Sequence, residues 1–515
     1  MNGAESMLQT LINNGVEVCF TNPGTSEMHM VAAIGKSEGM RSILALFEGI
    51  CTGAADGYGR MAGKPACTLL HLGPGLSNGS ANLHNAKKAH SPLINLIGDH
   101  ATYHKKYDAP LTSDIIGLAG PVSHWVKSTE HASELPADAL ASVQAASVKP
   151  GQIATLIVPA NCAWDESIEP LAFQASADIP RVAQQQISTA AQLLGNGKRT
   201  VILLGNMGLG EEAQFIVDKI AQASGARVMA DTFTTRWPRG EGRCEVERLF
   251  YFAEQAVEQT ADVEQMIMVG TKAPVAFFAY PGKASELYPE ACTLHTLAGP
   301  NDDAVEALTR LCEALSASDY APRKIKLQKP DVGTGELNQF TVGQSVAHYL
   351  PTDAIVVDEA ATSGAGSFAS TAASEPHDWL SLTGGSIGFG LPTAIGAAVA
   401  CPERKVIALH GDGGAMYTIQ SLWTMARENL DICVVIFANR KYQILQVELA
   451  RVGAQSMNKK TLDMLDIGNP DMNFAQMAQG MGVAASRAHT IEEFNRLYGA
   501  AMSQRGPQLI EVILP

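Results

Sequence analysis

A carboxylate and a carboxamide, Asp412 and Asn439, stand 27 positions apart, each close behind a run of apolar residues. The runs, 406–409 and 432–437, read as buried parallel strands, and the residues between them carry helical spacing at Ile419, Leu422, Trp423 and Ala426. Such a strand–helix–strand unit brings both polar residues to the carboxyl ends of neighbouring strands, the edge where open α/β sheets collect ligands. One carboxylate with one amide oxygen suits a hard cation such as Mg²⁺, which leaves other positions to water and phosphate oxygens. Gly411, Gly413 and Gly414 let the backbone approach a diphosphate, whose charge a following helix N-terminus favours.

Glu48 ends a second apolar run, 43–47, and begins a helical stretch. By position alone it reads as a first-turn carboxylate that complements the helix dipole, worth tenths of a kcal/mol, roughly 0.3–1. His71 closes another apolar run ahead of Gly73-Pro74-Gly75, and Thr25 lies in the turn Asn22-Pro23-Gly24-Thr25-Ser26-Glu27, where Thr25 or Ser26 can cap the next helix.

Taken together, these motifs resemble the thiamine diphosphate enzymes, whose signature is Gly-Asp-Gly, some two dozen residues, then Asn. The resemblance covers essentially the whole chain and is nearest to the group containing benzoylformate decarboxylase, acetolactate synthase and pyruvate oxidase. It implies that Asp412, Asn439 and the Lys441 carbonyl hold Mg²⁺, although Ala438 stands where many relatives have a second Asn. It also implies that Gly411, Gly413, Gly414, Ala415 and Tyr442 contact the cofactor. The stretch ALFEGICTGAADGYGR matches the family's Glu-bearing helix, so Glu48 is expected to bind the aminopyrimidine nitrogen and stabilise the tautomer that deprotonates the thiazolium C–H. In GGSIGFG, Ile387 aligns with the residue that wedges between the cofactor rings, and the Gly385 carbonyl accepts from the exocyclic amine. Thr362 and Ser363 are expected diphosphate donors, and Asn22 lines the site. HLGPGLSNG resembles the stretch of benzoylformate decarboxylase that also carries His, which makes His71 a catalytic candidate, and Thr25 matches that enzyme's active-site Ser.

Two departures stand out. The benzoylformate enzyme draws a further His from its middle domain, whereas the comparable stretch here, APVAFFAY at 273–280, has none and offers Phe277 and Phe278 as an apolar wall. Acetolactate synthases place Gln where this chain has Leu111.

These residues need three positioning blocks. The pattern predicts an α/β protein with parallel sheets flanked by helices: an N-terminal pyrimidine-binding block 1–165, a central Rossmann-like block 186–320 and a C-terminal diphosphate and Mg²⁺ block 337–515. Pro- and Ala-rich stretches near 161–186 and 321–336 read as linkers. In the first block, strands are expected at 17–21, 42–46, 66–71 and 93–98, with helices at 4–13 and 48–61. In the central block, Gly205-Asn206-Met207-Gly208-Leu209-Gly210 is G-x-x-G-x-G, not the dinucleotide fingerprint, so neither FAD nor a nicotinamide dehydrogenase is predicted. His100, His104, Lys105 and Lys106 read as a solvated loop.

A net charge of −15 over 515 residues argues against nucleic acid and, more weakly, against anionic membranes. Nine cysteines without a CxxC pair read as free thiols in a reducing compartment. No apolar run reaches the ~18 residues of a membrane span. The expectation is a cytoplasmic homodimer or homotetramer that uses thiamine diphosphate and Mg²⁺ on a small 2-oxo acid or aldehyde. C–C cleavage would give an enamine, then an aldehyde or a new C–C bond. Acetolactate synthase-type condensation is the alternative, and a non-catalytic binding or regulatory protein of this fold is the alternative from another class.

Overall fold

The computed structural model describes residues 1–172, 179–453 and 458–514, so part of the expected linker at 161–186 lies outside the described residues. Three sheets organise the chain. The first is wholly parallel, in the order Arg41–Leu44, Val18–Asn22, Ala66–Leu70, Leu93–Asp99, Ile153–Pro159, Trp125–Ser128. The second is also parallel: Glu247–Arg248, Arg227–Ala230, Thr200–Leu204, Gln265–Val269, Thr293–Ala298. The third runs Ala484–Ala488, Gln508–Ile513, Ile432–Ala438, Val406–Gly411, Ala354–Glu359, His377–Ser381, Trp237–Arg239.

Central strands such as Leu93–Asp99 and Ile432–Ala438 are buried along their whole length, as helices on both faces require; Ile432–Ala438 is apolar throughout, and Asn95 within Leu93–Asp99 is bonded to Thr68 and Thr155. Helices appear at Gly3–Asn13 and Glu48–Ala62, close to expectation. The strands Trp125–Ser128 and Ile153–Pro159 complete a first sheet of which the sequence pattern had marked four. The last strand of the third sheet comes from the middle of the chain: Trp237–Arg239 pairs antiparallel with His377–Ser381.

The cores are shared between blocks. Ile50 and Ala54 pack in one cluster with Leu391 and Ala394, and Ile202 and Trp237 in another with Trp379 and Phe494. Helix Glu48–Ala62 meets helix Gly390–Ala400 at backbone distance, since a Cβ on Gly57 would lie 2.1 Å from the Thr393 carbonyl oxygen and one on Gly396 1.8 Å from that of Ala54. Arg60 ties the blocks together: it holds Asp56 through two 2.8 Å bonds and donates to the carbonyls of Ser381 and Thr235. Seven of the nine cysteines are buried and all nine are free thiols. Among the described residues, no helix is long and apolar enough to cross a membrane.

Candidate active site

Two strand edges carry the polar residues. On the third sheet, strand Val406–Gly411 delivers Asp412, and its hydrogen-bonded neighbour Ile432–Ala438 delivers Asn439, as the spacing predicts. The helix after Gly-Asp-Gly differs from expectation. It is a single turn, Asp412–Ala415, and the next helix begins only at Ser421. A four-residue turn has little macrodipole, so individual N–H groups, not a helix end, are what this edge offers an anion.

Asp412 is 4% exposed. Its Oδ1 accepts from Gly413 N at 2.8 Å and its Oδ2 from Arg440 N at 2.6 Å. Burial pushes this carboxyl above its ordinary value, and those two amides only partly offset it. Asn439 Oδ1 lies 3.2 Å from Lys441 N, while its Nδ2 donates to Gln443 at 3.1 Å. Among the described residues, no group of three or more His, Cys, Asp or Glu could hold a metal. A cation at this edge would therefore draw on one carboxylate, one amide oxygen, the Lys441 carbonyl and the oxygens of its ligand. That is a donor set suited to Mg²⁺, which readily keeps non-protein oxygens. Tyr442 packs its ring where a Cβ of Gly413 would stand, at 2.3 Å, so only glycine leaves this turn open. Ala415 and Ser363 are buried on the same edge, with Thr362 half-buried after strand Ala354–Glu359. The residues fit a diphosphate with a divalent cation.

The loop at 384–390 lies beside this edge. Gly385 takes φ +74°, and a Cβ there would meet the Phe277 ring at 2.4 Å. Phe277 is the hub of a cluster with Phe233 and Tyr251, each 5.6 Å away, and Phe278 at 4.8 Å. The middle segment thus brings an aromatic wall against the loop that carries Ile387.

On the first sheet, His71 is followed by helix Leu72–Lys88 and rests on an acid that sequence reading passed over. Glu27 is fully buried. Its Oε2 lies 2.9 Å from His71 Nδ1 and accepts from Gly24 N at 2.7 Å, and its Oε1 accepts from Ser26 Oγ at 2.5 Å. Two glycines make the room: a Cβ on Gly98 would sit 1.8 Å from Glu27 Oε1, and one on Gly24 2.1 Å from His71 Nδ1. The carboxylate accepts from Nδ1–H, which fixes that tautomer and leaves Nε2 as the working atom. The capping expectation for Thr25 and Ser26 is corrected here. Helix Met28–Lys36 has no side-chain cap, because the Ser26 hydroxyl is spent on Glu27 and lies 3.2 Å from His71. Thr25 is exposed and Asn22 half-exposed at the same edge. The polar loop also differs in detail, since Lys105 pairs with Asp99 and the His100 and His104 rings stand 5.5 Å apart.

Glu48, 7% exposed, opens its helix after strand Arg41–Leu44, and its Oε2 accepts from Asn78 at 2.9 Å. The carboxylate faces Gly75 and Asn78, early in helix Leu72–Lys88. The 384–386 loop instead docks late on that helix, where Asn85 Nδ2 donates to Ser386 O at 2.8 Å. Helical rise separates Asn78 from Asn85 by about 10 Å. Glu48 and Ser386 are thus held on different turns, and Asn82 between them donates to the carbonyls of Gly49 at 2.8 Å and Gly388 at 3.2 Å.

A cavity of about 600 Å³ lies elsewhere, among Arg60, Arg236, Asp353, His377, Asp378 and Arg404. It opens at the amino ends of strands Ala354–Glu359 and His377–Ser381, opposite the edges above, and is crossed by ion pairs from Asp378 to Arg236 and Arg404. Burial works against the Asp378 carboxylate, yet the two guanidiniums hold it below the usual range. Its size does not make it the site.

Residues 1–120 match the thiamine pyrophosphate enzyme N-terminal TPP binding domain, and 364–512 the C-terminal TPP binding domain. A Mycobacterium tuberculosis protein named "Putative acetolactate synthase large subunit IlvX" is 48% identical, over 100% of this chain and 99% of that protein. Benzoylformate decarboxylase of Pseudomonas aeruginosa is 28% identical over 98% of this chain and 97% of its own. The structure of thiamine diphosphate-dependent 4-hydroxybenzoylformate decarboxylase from Rhodococcus jostii RHA1 superposes with a TM-score of 0.87 at 22% identity, covering 100% and 99% of the two chains. The shared fold, the two matched domains and the full-length relatives lead to one conclusion: the chain belongs to the family of thiamine diphosphate-dependent enzymes.

Proposed function

We propose that this enzyme uses thiamine diphosphate and Mg²⁺ to remove CO₂ from a 2-oxo acid, then either protonates the remaining acyl carbon to an aldehyde or joins it to a second carbonyl compound. The observation that carries the decarboxylase reading is the buried Glu27 behind His71, at 2.9 Å. A histidine so held can carry a second proton on Nε2, as the imidazolium, give it to the acyl carbon and be reprotonated from solvent, and such general acids contribute about 10²–10⁴-fold.

Bound thiamine diphosphate would supply a thiazolium carbon that adds to the keto group and takes up the electrons of the departing carboxylate. Asp412, Asn439 Oδ1 and the Lys441 carbonyl would hold the cation against its diphosphate. The amides of Gly413, Gly414 and Ala415 and the hydroxyls of Thr362 and Ser363 would face the phosphate oxygens, and Tyr442 would close that end. Ile387 would wedge the two rings, with the Gly385 carbonyl taking the exocyclic amine. Glu48 would exchange a proton with the pyrimidine nitrogen. By the family resemblance the amino-terminal domain of one subunit meets the carboxy-terminal domain of another, so a second copy would supply Glu48 and a homodimer, or a tetramer of two such dimers, would be the working form. Asn22 and Thr25 would line the substrate side. The Phe277 wall favours a 2-oxo acid with a bulky apolar side chain.

A panel of 2-oxo acids with product identification tests the reading: aldehyde from aryl or branched substrates supports it. A second reading, condensation of two 2-oxo acids as in acetolactate synthases, is favoured by the absence of His from 273–280 and by the name of the 48%-identical relative. Acetohydroxy acids as the sole products would select it. Shared sites are tested by mixing Glu48→Gln with Asp412→Ala subunits, since each mixed dimer regains one intact site.

A further inference from the structure

A buried acid and a buried histidine sit behind the cofactor edge, and neither has a part in the mechanism above. Glu359 ends strand Ala354–Glu359 and is 5% exposed, and His410, in the neighbouring strand Val406–Gly411, is fully buried. One carboxylate oxygen of Glu359 accepts from Gly388 N and the other from Gly390 N, both at 2.6 Å. These amides flank Phe389 and directly follow Ile387. His410 Nε2 lies 3.1 Å from Glu359 Oε2, close enough for an ion pair though off the N–H direction, and Nδ1 lies 3.0 Å from the Gly411 carbonyl. The ring therefore stands between the acid that holds the wedge loop and the peptide that begins the metal turn.

The surrounding glycines are shaped to this pair. A Cβ on Gly390 would stand 2.7 Å from His410 Cδ2, and one on Gly414 would stand 2.6 Å from Glu359 Oε1 and 3.0 Å from His410 Cε1. The Gly388 carbonyl is fixed from two further sides, by Thr418 Oγ at 3.0 Å and Asn82 Nδ2 at 3.2 Å. Two short bonds to one buried carboxylate are strong and directional, so the position of Glu359 dictates the position of the backbone after Ile387. His410 in turn dictates where that carboxylate sits relative to Gly411.

We infer that Glu359 and His410 are a positioning pair: they set the distance between the wedge loop and the metal turn, and so determine how the ring portion of the cofactor is held, while the diphosphate end is held without them. This rests on the assignment of Ile387 and Asp412 to the cofactor made above. On that assignment neither side chain would touch cofactor or substrate.

Calorimetry with two ligands in Mg²⁺ buffer, thiamine diphosphate and inorganic diphosphate, tests the inference. Glu359→Gln keeps the shape but can no longer accept from both glycine amides, and His410→Gln removes the bridging ring. Each variant is expected to lose about tenfold or more in affinity for thiamine diphosphate, to bind inorganic diphosphate as the parent does, and to exchange the thiazolium proton more slowly at saturation. Gly390→Ala, which keeps both side chains but presses a methyl group onto His410 and against the Glu359 Cβ, is expected to give the same pattern and serves if the first two variants fold poorly. Equal losses for both ligands, or unchanged affinity for both in folded variants, would overturn the pair's role. Failure of the parent protein to bind inorganic diphosphate in an Asp412-dependent way would instead overturn the site assignment on which the inference stands.

Discussion

The first and third sheets present edges of the same kind, carboxyl ends of parallel strands, yet each buries its acid differently. Glu27 is saturated by its own chain, with an amide, a hydroxyl and an imidazole on its two oxygens. Asp412 is also buried, but its oxygens accept from the Gly413 and Arg440 amides and, among the described residues, it forms no ion pair, with the Arg440 charge acting only from a distance. The first arrangement is complete and can orient a proton donor. The second is left short of positive charge, the state in which a bound cation gains most. A buried carboxylate is thus informative through the donors it has, not through burial alone.

Glu48 tests that opposition first, because it lies on the first edge yet is only half satisfied, by Asn78. Glu48→Gln should slow exchange of the thiazolium proton by about 10²–10⁴-fold, read by NMR after acid quench, with cofactor affinity little changed. Full-rate exchange would return Glu48 to the role of helix-dipole partner. Next in size, Asp412→Ala or removal of divalent metal should weaken thiamine diphosphate binding by at least about 100-fold, measured by calorimetry. Retained affinity would mean that the third edge is as self-sufficient as the first. His71→Ala, on folded and cofactor-saturated enzyme, should cut aldehyde release by about 100-fold and C–C bond formation by less, raising the share of ligation product. An unchanged product ratio would leave His71 as packing.

Smaller effects probe how the first edge is built. Gly98→Ala puts a methyl group on the Glu27 carboxylate and should cost about 1–3 kcal/mol in denaturant unfolding, while lowering the aldehyde fraction and sparing the third edge. At the opposite strand ends, burial, reinforced by Arg239, pushes His377 down to about 3. The unfolded chain takes up this proton near 6.5 and the folded chain does not, so stability is lost as pH falls below 6.5. Between pH 6.5 and 5 that amounts to about 2 kcal/mol, and His377→Gln should flatten this limb of the pH–stability curve.

What the sequence made legible was local. Asp412, Asn439 and the strands that carry them lie within one strand–helix–strand unit, so spacing alone placed them together. The same holds for Glu48 at its helix start and for His71 at its strand end. What it hid depends on distant partners. Glu27 read as part of a turn, because its burial is decided by Gly98, in strand Leu93–Asp99, and by His71. His410 follows the apolar run 406–409 and drew no reading, because its partner Glu359 lies on the adjacent strand. Phe277 declared itself as apolar, but its contact with Gly385 joins segments more than a hundred residues apart. Strand Trp237–Arg239 is too short to announce itself, and its pairing with His377–Ser381 follows from tertiary packing alone.

That short strand bears on how such enzymes can be recombined. It covers what would otherwise be an open margin of the third sheet, so the middle third of the chain is not a detachable cassette. Transplanting residues around 186–320 from a relative would also replace the border of the acceptor's catalytic sheet, and deleting them would bare His377–Ser381 as a sticky rim that invites aggregation. Chimeras that keep residues 237–239 with their native neighbour should stay soluble where cleaner-looking cuts do not.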